Sequence, residues 1–301
     1  MRPEGPILVA IADGRDHDSA LRFACGEAAR SGRALSLVHV LAEGASAPDA
    51  LLVDALDRVD ELTAGTVEAQ TAVRPGPVVP LLVEMSQDVS MVVLQRRQLS
   101  RLQRLVTGSI SVQVAGEARA PTVSVPEGWQ PTPDEGALGV AVGIDGADDE
   151  ATDLLRYSYA RAHDLGVRLT VVHGWQLPSA YDDAILDPSA AEAWQDRYVR
   201  SVQRRQTQLG AGHRYPRAAV EVRHMPAAQA LVLASKESQL LVVGRGGLNH
   251  PVVNHLGSIT RAVMQSSECP VEVIENQDER GAGTPPPGQR AARRSASTVE
   301  S

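Results

Sequence analysis

Residues Val242–Ser258 read VVGRGGLNHPVVNHLGS, and the same outline occurs earlier, at Val92–Ser109, as VVLQRRQLSRLQRLVTGS. Each begins with an apolar run, passes through a polar loop, and ends in Gly-Ser at the start of a helix-like segment. An apolar run feeding a loop and then a helix is the carboxyl end of a strand in an α/β unit, where such folds bind ligands. Finding the frame twice points to a duplicated domain. The two copies differ in their glycines. The later copy has Gly244 and Gly247 where the earlier has Gln95 and Gln98, while Gly257-Ser258 matches Gly108-Ser109.

Working outward, the rest of the chain repeats as well. Residues 7–14, ILVAIADG, pair with 139–146, GVAVGIDG, so that Asp13 matches Asp145. A helical stretch follows each, SALRFACGEAARSG and ATDLLRYSYARAHDLG, ending at Gly32 and Gly166, where a left-handed stop is expected. Second strands follow, RALSLVHVL and VRLTVVHGW, with His39 and His173 at matching places. The next helical segment is longer in the second copy. The copies converge again on a third strand, a helix, the quoted stretch, and a closing APTVSVPEG or CPVEVIEN. Strands alternating with helices predict parallel sheets covered on both faces. The reading is α/β: two tandem doubly wound, Rossmann-like domains, each with a five-stranded parallel sheet. The first domain spans 5–126 and the second 137–275, joined by the Pro-rich WQPTPDEGALG; residues 276–301 lack apolar periodicity and read as a disordered tail.

Composition narrows the function. Among 301 residues, 43% are hydrophobic and 22% charged, a globular balance, and 3% are aromatic, so aliphatic side chains must fill the cores. A net charge of −8 argues against a general nucleic-acid binder, and the arginines of the tail read as solvation. Cys25 and Cys269 stand alone among apolar neighbours and read as small buried hydrophobes rather than a disulfide or metal pair. No apolar run is long enough to cross a membrane, and a cytoplasmic location is the expectation.

The loop chemistry points to phosphate. Glycines admit a ligand close to the backbone, consecutive N–H groups make an anion-binding concavity, and the N-terminus of the helix after Gly257 adds positive dipole. Ser258 can donate its hydroxyl. The motif is neither G-x-G-x-x-G nor a Walker loop, and no Walker lysine is present. His250 and His255 lack metal-ligand spacing and read as surface residues.

The pattern G-x2-G-x9-G-S, set between a VVG strand and a closing helix–CPV strand, resembles the universal stress protein family. The Asp-Gly after the first strand and the VVH strand are similar too, and the resemblance covers both halves. It implies a tandem member of the ATP-binding branch. Gly244, Gly247, Gly257 and Ser258 would hold the triphosphate, with Arg245 inside the loop and Ile259 just after it. Val243, Ile144 and Asp145 would lie at the nucleoside. Gly174 takes a place where the family often has a valine at the adenine. The resemblance implies one ATP per chain, with Mg²⁺ accompanying the phosphates, and a stress-response regulator with at most slow hydrolysis. It also implies an intramolecular pseudo-dimer of the two halves and leaves room for a homodimer. The alternative is a nucleotide-free interaction module of the same fold. An ATP-dependent adenylating enzyme fits worse, because the first loops, ADGRDHDS and IDGADDEA, lack the Ser-Gly-Gly such enzymes carry. In the first half, glutamines at 95 and 98 are expected to occupy phosphate space, and Arg96, Arg97, Arg101 and Arg104 read as a solvated or partner-facing basic face.

Overall fold

The computed structural model describes residues 5–14, 16–41, 50–96, 109–131, 138–144, 149–176, 188–210, 215–246 and 256–275. Asp145, Gly247, Gln98, Gly108, His250, His255, Arg97, Arg101, Arg104 and the tail lie outside them. The first half runs β1 (Ile7–Ala10), α1 (Asp18–Ser31), β2 (Leu35–Leu41), α2 (Leu51–Thr63), β3 (Ala69–Pro75), α3 (Val78–Met85), β4 (Met91–Arg96), α4 (Ile110–Glu117) and β5 (Thr122–Pro126). The second repeats the order: β6 (Gly139–Gly143), α5 (Asp149–Asp164), β7 (Leu169–Trp175), α6 (Pro188–Gln208), β8 (Ala219–His224), α7 (Ala227–Ala234), a 3₁₀ turn, β9 (Ser238–Gly244), α8 (Ser258–Ser266) and β10 (Val271–Ile274).

The alternation of side chains along the strands sorts the helices into two layers. Val9, Leu37, Val140 and Val171 point to one face and bury Ala55, Val59, Leu155 and Val202, so that α1, α2, α5 and α6 share a layer. Leu8, Val38 and Val92 face α3 and α4, and Ala141, Val172 and Leu241 face α7 and α8. The central strands, covered on both faces, read as Val/Leu runs, whereas the outer β3 and β8 are partly exposed and carry polar residues. The expected glycine stops hold: Gly32 (φ 64°) and Gly166 (φ 69°) are left-handed, and the Gly32 N–H reaches Ala28 O.

The two sets of five parallel strands are not separate sheets. They form one ten-stranded sheet in the order β3-β2-β1-β4-β5-β10-β9-β6-β7-β8. The only antiparallel pairing among the described strands is β5 with β10, with Glu272 opposite Val123. Satisfying the edges of β5 and β10 against each other removes two exposed ladders that would otherwise invite association.

Above this joint lies a buried ion network. Arg161 of α5 is fully buried; its Nη1 and Nη2 donate to both carboxylate oxygens of Glu27 on α1 at 2.9 and 3.0 Å, and its Nε to Glu272 at 2.6 Å. Tyr157 Oη also donates to Glu272, and Arg30 adds a 2.8 Å bond to Glu27. Two carboxylates and two guanidiniums balance in charge, the condition for burying such groups. Burial raises the Glu27 pKa, but Arg161 and then Arg30 outweigh it and hold the carboxyl at about 2. Aligning α1 and α5 on Gly32 and Gly166 makes Glu27 and Arg161 equivalent positions. The duplication thus pairs a position with its own copy, and the two copies carry opposite charge.

Candidate functional site

In an open α/β sheet the ligand crevice opens where strand order reverses, outside the carboxyl ends of the strands. Here those points lie between β1 and β4 and between β6 and β9. In the second half, β9 ends at Gly244, and Arg245 N–H donates to Ile274 O at 3.0 Å. The loop returns at Leu256, which is buried, and its base is closed by the Gly257 N–H donating to Arg245 O at 2.9 Å. Thr260 Oγ1 donates to Gly244 O at 2.8 Å and ties α8 to the end of β9. The first intrahelical bond of α8 is Arg261 N–H to Gly257 O at 2.9 Å. The N–H groups of Ser258, Ile259 and Thr260 therefore precede the ladder and point out of the helix end, as anion-binding helix termini do. Gly257 has φ −56° and ψ 151°, so it is not left-handed. Any need for glycine there is one of space, not of conformation.

The opposite wall is the end of β6. His173 Nδ1 bonds Ile144 O at 3.0 Å, and Tyr198 Oη of α6 donates to the same oxygen at 2.9 Å. A carbonyl only accepts, so the His173 proton sits on Nδ1. The two rings stack at 3.8 Å and 12°. They fix the backbone from which Asp145 departs. His39 does the same for Ile11 O at 2.8 Å in the first half.

The first-half crevice is built differently. Gln95, in the place of Gly244, sends its side chain across the switch point to the β1–α1 segment. Its Oε1 accepts from Ala20 N–H at 3.1 Å, and its Nε2 donates to Asp16 O at 2.5 Å. Ala20 is the third residue of α1, where an N-cap side chain would normally bond, and His17 makes no such cap. Gln95 is thus both a cap supplied from another strand and a strut across the crevice.

The profile of the universal stress protein family matches residues 5–126 and 139–275. The chain belongs to the universal stress protein family. Both halves match, so it is a tandem universal stress protein. A universal stress protein of Mycobacterium tuberculosis is 33% identical over 204 residues, which cover 66% of this chain and 62% of that protein. One from Mycolicibacterium smegmatis is 28% identical over 297 residues, covering 89% of this chain and 96% of its own. Among solved structures, an Archaeoglobus fulgidus universal stress protein matches with a TM-score of 0.59 at 14% identity, over 90% of this chain and 97% of its own. A Pseudomonas aeruginosa structure assigned to the family matches with a TM-score of 0.64 at 17% identity, over 91% of this chain and 94% of its own. These two share the fold.

The geometry changes three readings of this universal stress protein. First, sheet register pairs Ile7 with Leu35 and Met91, and Val140 with Leu169 and Leu240. Ile11 is then equivalent to Ile144, so the counterpart of Asp145 is Ala12, and the match of Asp13 to Asp145 is one residue out. Asp13 is exposed. Second, Arg245 reaches away from the strand end with its guanidinium. Nε donates to Ala115 O at 3.0 Å, Nη2 donates to Ala118 O, and Nη1 lies 3.7 Å from Glu275. It crosses into the first half and caps the C-terminal carbonyls of α4. Its counterpart Arg96 returns the contact, donating from Nη2 to Ser267 O at the end of α8. Third, Gly174 is a packing glycine. A Cβ there would lie 2.6 Å from Ala227 Cα and 2.9 Å from Ala227 N, so α7 already fills that space.

Gly244, Gly257, Ser258, Ile259, Val243 and Ile144 come together at the carboxyl ends of β6 and β9. The sequence reading missed Tyr198 and the trans-capping role of Gln95; neither carries a local motif, because each partner is far away in sequence. Burial pushes the Cys25 thiol to about 11 and Cys269 to about 12, which leaves both inert near neutral pH. Among the described residues no group of three His, Cys, Asp or Glu could hold a metal, and no helix is long and apolar enough to cross a membrane. A cavity of about 440 Å³ lined by Tyr159, His163, Arg168 and Tyr215 opens at the amino ends of the strands, away from this loop.

Proposed function

We propose that this universal stress protein binds one ATP, in its second half, and acts as a cytoplasmic stress-response regulator through conformation or partners rather than fast chemistry. The observation that carries this is the contrast between the two switch points. A glutamine side chain bridges the first, whereas at the second Gly244 has no side chain to bridge with, and Thr260 ties it to a helix end whose first three amides precede the hydrogen-bond ladder. In this reading Gly244, Gly247, Gly257 and Ser258 hold the phosphates, with Ile259 beside them. Ile144, Asp145 and Val243 lie around the nucleoside, Gly174 serves the packing of α7, and the Arg245 guanidinium is engaged by the carbonyls at the end of α4. Mg²⁺ would neutralise phosphate charge, held through the phosphates with few protein ligands. The halves, 5–126 and 137–275, form an intramolecular pseudo-dimer in which the first half is a nucleotide-free support.

Gly257→Val is the direct test. Valine tolerates extended backbone angles, so the substitution adds volume at the helix end without demanding a new conformation. Calorimetric ATP binding in Mg²⁺ should fall by at least about a hundredfold, roughly 2.7 kcal/mol, while Gly108→Val leaves it unchanged. Mass spectrometry of the denatured, freshly purified wild-type protein should show ATP at one per chain. Absence of nucleotide together with no calorimetric binding would favour a nucleotide-free interaction module. The exchange of Arg245 and Arg96 between the halves, which uses loop residues to hold the molecule together, suits that second reading.

A further inference from the structure

The outer helices of one layer carry opposite charge in the same pattern. On α2, Ala55 and Val59 are buried, and Asp54, Asp57 and Glu61 stand exposed on the opposite side at i, i+3 and i+7, with Asp60 beside them. On α6, Val202 and Gln206 are buried, and Arg197, Arg200 and Arg204 stand exposed at the same spacing. Arg217 joins the arginines at one shallow groove with Gln203 and Thr207. Like charges three and four residues apart repel along a helix, which weakens each helix unless something of opposite sign covers it. Local neutralisation is partial: Glu61 pairs with Arg58, which is half-buried and shared with Asp18, and Arg200 lies 3.6 Å from Asp196 in an exposed pair worth little. Each helix also shows a large apolar residue near its charged row, Val53 at 55% exposure and Trp194 at 56%.

The two rows cannot meet within one chain. α2 packs over β2 and β3 at one end of the ten-stranded sheet, and α6 over β8 at the other. Both helices lie on the same face of the sheet. A twofold axis running along the helices between two facing layers sets α6 of each chain against α2 of the other, so one dimer makes the complementary contact twice. We infer that a second copy of this chain docks on this helical layer, the arginine row of α6 against the acidic row of α2. The inference does not depend on nucleotide binding.

Charge swapping tests it. Arg200→Glu with Arg204→Glu makes both outer rows acidic; Asp54→Lys with Asp57→Lys makes both basic. All four positions are exposed, and far-UV circular dichroism and melting curves check that each variant keeps its fold. Sedimentation should show the full-length wild type as a dimer at about 20 mM salt that loosens by tenfold or more at about 500 mM, where the Debye length falls to a few ångströms. Each variant alone should be monomeric, and an equimolar mixture should form heterodimers. A wild type that stays monomeric at low salt, a dimer that the reversals leave intact, or a mixture that remains monomeric would each overturn the proposal.

Discussion

Gln95 shows how one side chain can change the use of a site without disturbing the fold around it. Gly at its position ends a strand and leaves a crevice. Gln reaches across that crevice and satisfies the third amide of α1, which His17 leaves to others. Gln95→Ala should therefore cost about 1 kcal/mol, the usual worth of an N-cap. Urea denaturation would measure it, and no gain of ATP affinity in the first half should accompany it, because Ala12 stands where the second half has Asp145. Gly174 illustrates the opposite case. Its missing Cβ leaves room for the helix that follows β8, so its identity reports packing and not a weakened pocket.

Helix ends carry the cross-talk between the halves. α4 and α8 each end on carbonyls met by an arginine at the carboxyl end of the fourth strand of the other half. Positive charge at a helix C-terminus is favourable, and hydrogen bonds to a charged donor are stronger than neutral ones. Arg245 is buried, so Arg245→Met should leave the Ala115 and Ala118 carbonyls unsatisfied and cost about 2 kcal/mol. Arg96→Met should cost less, because Arg96 is half-buried. Thermal denaturation of the two variants orders them. Equal effects would show that the contacts do not act as burial requires.

Across the whole molecule, the joint buries Glu27, Arg161 and Glu272, which must stay paired to be tolerated there. Arg161→Met would leave two carboxylates buried near one another and should destabilise by about 3–5 kcal/mol, whereas converting all three residues to apolar ones of similar volume should restore most of the loss. The same network predicts an acid response. The Glu27 pKa is depressed in the folded chain to about 2, from an ordinary 4.5. Its contribution is complete above the ordinary value and disappears as pH falls from there through about 2. Stability measured against pH should drop over that window in the wild type, and less in a Glu27→Gln variant.

What the sequence determined by itself was local and periodic. Apolar runs alternating with helical spacing, Gly32 and Gly166 at helix ends, and the repeated Gly-Ser frame define the strands, the helices and the duplication, because backbone preferences and amphipathic periods act within a few residues. Gly244 and Gly257-Ser258 were legible as a helix-terminal loop for the same reason. Tertiary structure decided the rest. The fusion of two five-stranded sets into one sheet depends on which edges are left to pair. The partnership of Glu27 with Arg161 depends on two equivalent helices meeting across the joint. Ala12, not Asp13, became the counterpart of Asp145 because strand register, not residue identity, aligns the copies. Arg245 reaches α4 because buried carbonyls of the other half lie within its reach. Such choices are made by contacts between residues more than a hundred positions apart, and no local pattern encodes them.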